Sequence, residues 1–116
     1  MTTDIAVPTD QEFVEALGVS PVLLDGGTAT YMVEVASGDT ELRFSYDLVE
    51  RSVRVRVNGG PLGAVDFFCE GLDGMSLISK GPEVGLSVRL SGPCHVVRLN
   101  VTIFPAVEIR SEVLAA

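Results

Sequence analysis

Apolar and polar residues alternate with a period of two through most of residues 28–110, and this alternation limits the chain to one kind of architecture. Successive side chains of a β-strand point to opposite faces of a sheet, so each alternating segment predicts an antiparallel strand with one buried face. Turn residues such as Asn58-Gly59-Gly60-Pro61 separate the segments, and we count about seven or eight short strands. The sequence therefore predicts a mainly β fold, on the border of α+β, in which an antiparallel meander forms a sandwich or a strongly curled sheet.

The register of the first hairpin follows from its turn. A two-residue loop at Gly38-Asp39 places Glu34 opposite Arg43 and sets apolar residues opposite apolar residues on the other face. A shift of one residue would destroy both agreements, because it moves every side chain to the other face. We therefore predict this register for the first two long strands.

A third strand extends this meander and completes a charged outward face. A two-residue loop at Glu50-Arg51 places Asp47 opposite Arg54. The charged residues that project from this side are Glu34, Arg43, Asp47, Arg54 and Arg56. Such a face is either solvated and crossed by ion pairs or used for recognition, since arginine is common at protein interfaces.

One helix precedes the strands. Thr9 and Glu12 have the spacing of a capping box, and Gly18 is placed to end the helix in a left-handed conformation. These signals predict a helix over 9–17, too short to be stable unless it packs against the sheet. Residues 1–7 are expected to fray.

The chain holds one histidine and two cysteines, Cys69 and Cys94. A reversal at Gly92-Pro93 places His95 opposite Leu90, at the margin of the core. Cys94 and His95 are neighbours on one predicted strand and point to opposite faces, so they cannot form a Cys-His pair. His95 is therefore either a structural histidine or a residue that contacts a ligand.

Sequence motifs of catalysis are missing from the chain, including the nucleophile elbow, the phosphate-binding loop and the zinc protease motif. One histidine and two separated cysteines are too few for a zinc site, and two cysteines are too few for a secreted disulfide framework. We therefore predict no enzymatic activity, no cofactor and no metal site. The free thiols favour a reducing, cytoplasmic compartment.

The charge of the chain limits its partners. Sixteen Asp and Glu stand against eight Lys and Arg, giving a net charge of −8. This field repels phosphate backbones and anionic lipid, so we predict binding to neither nucleic acid nor membrane, and attraction to a basic protein. A chain of 116 residues is expected to form a single domain over 1–116, and its richness in Arg, Val, Gly and Ala suggests a bacterial gene.

Three hypotheses about function follow. The first is a non-enzymatic protein-binding module, in its concrete version an immunity-type inhibitor that neutralises a basic toxin or enzyme. The second is a small-molecule binder or small enzyme with a pocket between the sheet and the helix, near His95 or Cys69. The third is a structural homo-oligomer, since the strands carry more apolar surface than one buried face accounts for. Self-association would cover the excess, and we expect a dimer.

Overall fold

The alternating segments form nine antiparallel strands within residues 5–24 and 29–115, the part of the chain that the computed structural model describes. Five strands form the first sheet, here sheet I, in the order β1-β2-β3-β4-β5, and four form sheet II, in the order β6-β7-β8-β9. The elements are α1 (Asp10–Leu17), β1 (Val22–Leu23), β2 (Thr30–Ser37), β3 (Thr40–Asp47), β4 (Ser52–Gly59), β5 (Gly63–Glu70), β6 (Leu72–Lys80), β7 (Glu83–Ser91), β8 (Val96–Phe104) and β9 (Glu108–Ala115).

The two sheets share one hydrophobic core, to which each contributes the apolar side of its alternating strands. Phe44, Val55, Leu86 and Val101 are examples of fully buried side chains from the two sheets. The predicted mainly β class is confirmed, and of its two alternatives, a sandwich or a single curled sheet, the structure has two separate sheets. The β region extends beyond the predicted 28–110, since it includes β1 and continues to residue 115, while residue 28 itself lies outside the described residues.

The first hairpin has the predicted register. Ser37 lies opposite Thr40, which leaves Gly38-Asp39 as the loop, and Glu34 lies opposite Arg43. The left-handed conformation of Gly38, with φ of 61°, suits a tight two-residue turn.

The second hairpin differs from the prediction by two residues. Asp47 lies opposite Ser52, so the loop spans residues 48–51 and the predicted Asp47–Arg54 pair is wrong. The longer loop forms because Asp47 Oδ1 accepts the backbone N–H groups of Val49 and Glu50, at 2.9 and 2.8 Å. A shift of two residues keeps every side chain on its predicted face, which is why the face assignment is still correct.

The hairpin that joins β7 to β8 is also displaced by two residues. Leu90 lies opposite Val97 rather than His95, and β8 begins at Val96. The N–H of Gly92 donates to the carbonyl of His95 at 2.9 Å, which closes a loop that contains the histidine. His95 is therefore an exposed loop residue, and its prediction as a strand residue at the core margin is wrong.

The chain passes from sheet I to sheet II at Gly71, between β5 and β6. Gly71 has a φ of 97°, and a Cβ built there would lie 2.5 Å from the carbonyl oxygen of Ser91. The N–H groups of Gly71 and Leu72 both donate to the carbonyl of Arg51, at 2.8 and 3.0 Å. Glycine is required here because a side chain would clash with backbone, and β6 starts at once on the other sheet.

Helix α1 has both predicted ends. Thr9 accepts from the N–H of Glu12 while the Glu12 side chain accepts from the N–H of Thr9, and Gly18 adopts φ of 78°. Phe13 and Leu17 are buried, and α1 packs against β6 and β7. The helix therefore covers part of the core at one side of the two sheets.

The segment before α1 is paired to sheet II. The carbonyl of Ala6 accepts the N–H of Met75 at 2.8 Å, and Ala6 forms a parallel bridge with Gly74. Residues 1–4 of the segment that was expected to fray lie outside the described residues. Ala6, which was also expected to fray, instead pairs with the edge of β6.

Candidate protein-binding face

The outward side of sheet I, here face I, brings the predicted interaction residues together. Glu34, Arg43, Asp47, Arg54 and Arg56 all lie on it, on the adjacent strands β2, β3 and β4. Strand β5 adds Asp66 and Phe68, because it pairs with β4 and sets them opposite Arg56 and Arg54. Alternation along one strand separates its two sides, but it cannot show that β5 joins this sheet.

A row of four charges crosses face I. Its order is Glu34, Arg43, Arg56 and Asp66, so two arginines lie directly opposite each other between two carboxylates. Arg43 Nε is 2.9 Å from Glu34 Oε2, and Arg56 Nε is 3.6 Å from Asp66 Oδ2. The repulsion between the two arginines is therefore offset by a carboxylate on each side.

Arg54 is held by Asp66 through two hydrogen bonds. Its Nε and Nη2 donate to Asp66 Oδ1 and Oδ2, both at 3.0 Å. These bonds hold the pKa of Asp66 below its usual range and raise that of Arg54. The planar arrangement orients Arg54 along the sheet toward β5.

Sheet II carries a similar row on its outward side. Arg89 and Arg98 lie opposite each other, with Asp73 3.3 Å from Arg89 and Glu112 3.4 Å from Arg98. Arg110 pairs with Glu108 at 3.4 Å. The arginines of both outward sides are thus neutralised within the chain.

The excess negative charge is therefore carried by other carboxylates. Within residues 5–24 and 29–115, those without an ion pair are Asp10, Glu12, Glu15, Asp39, Glu41, Asp47, Glu50, Glu70 and Glu83. They lie on α1 and near the ends of strands.

Asp47, Glu50 and Glu70 line one groove at the end of face I, together with Arg54 and Phe68. The groove has a volume of about 320 Å³. The hydroxyl of Thr30 donates to Asp47 Oδ2, and this bond, with those from the Glu50 and Val49 N–H groups, lowers the pKa of Asp47. Asp47 is thus held as a carboxylate that shapes the turn.

A second groove, of about 520 Å³, lies between β5 and the inner side of β8 and β9. Phe67, Cys69, Val97 and Ile109 give it an apolar lining, and His95 stands at the same groove. The fold thus brings His95 and Cys69 to one place. A pocket was expected from the sequence between the sheet and the helix, but this groove has no residue of α1 in its lining.

Burial raises the pKa of the Cys69 thiol, which keeps the thiol protonated.

A third concavity, of about 640 Å³, lies on the outward side of sheet II. Ser76, Ser87 and Asn100 form a polar row across it, from β6 to β8. Asn100 Oδ1 is buried without a hydrogen-bond partner among the described residues. This face is charged but balanced, because its arginines are paired.

Two further properties limit the chemistry of the described residues. No group of three or more His, Cys, Asp or Glu within them is arranged to hold a metal ion. No helix among them is long and apolar enough to cross a membrane.

The comparisons with known proteins give one result on the fold. No protein-family model matches the chain, and no curated protein matches it. A chain from the solved contact-dependent growth inhibition toxin–immunity protein complex of Klebsiella pneumoniae 342 superposes with a TM-score of 0.80. The match has 13% sequence identity and covers 97% of this chain and all of the other, so the two share a fold over their full length.

Proposed function

We propose that this chain is an immunity-type protein, a non-enzymatic module that binds and neutralises a basic toxin in a bacterial cytoplasm. The observation that carries the proposal is the fold match, over almost the whole of both chains, to a chain of a toxin–immunity protein complex. The match shows a shared scaffold, whereas binding depends on the surface residues that the scaffold carries.

The charge distribution supports a basic partner. The outward arginines are paired within the chain, whereas carboxylates on α1 and at the strand ends have no ion pair with another described residue. The field outside the protein is therefore negative, which raises the rate of encounter with a cationic protein and falls with added salt. The neutralising step would be occlusion of the toxin surface, which needs no catalytic group.

The test is capture followed by neutralisation. The tagged chain is immobilised, a lysate of its host is passed over it at low salt, and bound protein is eluted with a salt gradient. A basic protein that elutes at moderate salt is then purified and expressed in reporter cells with and without this chain. We expect its toxicity to disappear when the chain is present.

Two results would contradict the proposal. One is that no basic protein is retained at low salt. The other is that the retained protein is equally toxic in the presence of the chain. The homodimer expected from the sequence stays a prediction, and light scattering after size exclusion at two salt concentrations measures it.

A further inference from the structure

We infer that the groove beside Phe68, here the Phe68 groove, receives an arginine side chain of the basic partner. The groove is lined by Thr30, Ser45, Asp47, Glu50, Ser52, Arg54, Phe68 and Glu70. This inference rests on the proposed function and names the place and chemistry of its contact.

The register of sheet I creates the groove. Phe68 and Glu70 are two residues apart on β5 and therefore point to the same side, opposite Arg54 and Ser52 of β4. The neighbouring positions of this side carry the small side chains Ser45 and Ser52, which leave space between Phe68 and the 48–51 loop. A volume of about 320 Å³ is at the lower limit for a ligand pocket and fits one long side chain better than a larger group.

The charges of the groove suit a cation. Glu50 and Glu70 have no ion pair within the described residues, and Asp47 is held ionised by its hydrogen bonds. Arg54 does not neutralise them, because both of its hydrogen bonds are directed to Asp66 on the adjacent row. The groove therefore offers two accessible carboxylates beside a ring.

The ring favours arginine over lysine. Phe68 is 59% exposed, so its ring is accessible to a partner. A guanidinium stacks on an aromatic face and is more weakly hydrated than an ammonium, so it can contact the ring and a carboxylate together. Arginine is also among the residues that carry the most binding energy at protein interfaces.

The occupant is a partner protein rather than a second copy of this chain. The outward arginines of the chain, on β3, β4, β7, β8 and β9, are each held by a carboxylate within 4 Å. A second copy would have to break one of these pairs to insert an arginine. A basic partner carries more cationic than anionic side chains, so it can insert one without breaking an ion pair of its own.

The test uses a short peptide as the probe, N-acetyl-Gly-Arg-Gly-amide, titrated into the isotope-labelled chain while backbone amide NMR signals are followed. The same peptide with citrulline in place of arginine keeps the shape and removes the charge. We expect saturable shifts at the amides of Phe68, Glu70 and Glu50 with arginine and not with citrulline. Phe68→Ala and Glu70→Gln should each weaken binding about fivefold or more.

Glu41→Gln is the matched control, since Glu41 lies on face I of the same sheet, is exposed and has no ion pair within the described residues. It removes the same charge as Glu70→Gln and should leave peptide binding unchanged. Amide spectra of each variant without peptide show whether the fold is retained. We expect it to be, because Phe68 and Glu70 are both exposed.

Three outcomes would overturn the inference. The first is arginine-dependent shifts that map to α1 or to sheet II instead. The second is equal loss of binding in Glu41→Gln and Glu70→Gln, which would show a general charge effect. The third is a dimer that becomes monomeric on Phe68→Ala, which would show that a second copy covers the groove. If one of these results is found but the chain still neutralises the toxin, the proposed function stands and only the groove inference fails. If the groove binds the arginine peptide but the chain does not neutralise a toxin, the proposed function fails.

Discussion

Phe13 of helix α1 stacks on Tyr46 of β3, with ring centroids 6.3 Å apart and ring planes 10° apart. Tyr46 in turn stacks on Tyr31 of β2 with centroids at 5.5 Å. The three rings join α1 to sheet I, while the helix also packs against sheet II. An eight-residue helix would not be stable alone, so this aromatic contact is a main reason that α1 forms.

Replacing Phe13 by alanine should therefore destabilise the fold strongly. Phe13 is fully buried, and removing a buried phenylalanine side chain costs about 3–5 kcal/mol of unfolding free energy. Urea unfolding followed by circular dichroism measures the change. Val14→Ala is the control on the same helix, because Val14 is 48% exposed and its replacement should change stability by less than about 0.5 kcal/mol. Equal effects of the two substitutions would show that α1 is not anchored through Phe13.

Tyr46 should make stability fall at high pH. Burial, and next the charge of Asp10, raise the pKa of Tyr46 from 10.0 to about 12. Between these values the unfolded chain has lost the phenolic proton and the native chain keeps it, so the free energy of unfolding decreases as the pH rises. The loss should reach about 2–3 kcal/mol across this window, with no contribution from Tyr46 at lower pH.

Urea unfolding at several pH values between about 9 and 12 measures this effect. Tyr46→Phe keeps the stacked ring and removes the hydroxyl, so its stability should fall less steeply than that of the unsubstituted chain. Parallel curves for the two proteins would contradict the raised pKa of Tyr46.

Gly85 of β7 should not accept a side chain. A Cβ built there lies 2.1 Å from the carbonyl oxygen of Val101 and 2.7 Å from Cα of Thr102, both in backbone of β8. Gly85→Ala would force the two strands apart next to the register shift at Val84/Gly85, at a cost of about 3 kcal/mol. In Gly74→Ala, on the same sheet, the nearest atom to the new Cβ lies 4.0 Å away, so thermal unfolding should be almost unchanged. A normal melting temperature for Gly85→Ala would contradict the close approach.

The two thiols should react at different rates. Cys94 is exposed in the loop before β8, whereas Cys69 is half-buried and burial raises its thiol pKa. The thiolate is the reactive form, so a disulfide reagent at about pH 8 should modify Cys94 first and Cys69 roughly tenfold more slowly. Cys94→Ser should remove the fast phase and keep the slow one. A single rate for both thiols would show that the groove at Cys69 is open to the reagent.

Much of the architecture could be predicted from local sequence because the interactions that form it are local. The capping box of Thr9 and Glu12 and the Gly38-Asp39 turn each involve residues a few positions apart, and both are present. Alternation also assigned the outward residues of β2, β3 and β4 correctly. It could not fix the length of the 48–51 loop or of the loop before β8, since a shift of two residues leaves the alternation unchanged.

The sequence by itself determined most of the strands, the faces of their side chains and the helix with its ends, because these depend on side-chain period and on hydrogen bonds between near neighbours. The tertiary structure alone decided that the chain changes sheets at Gly71 and that β5 pairs with β4. That pairing places Asp66 beside Arg54 and Phe68 beside the carboxylates of the groove. Such contacts depend on which strands become neighbours, and strand order is set by packing of the whole core and not by any single segment.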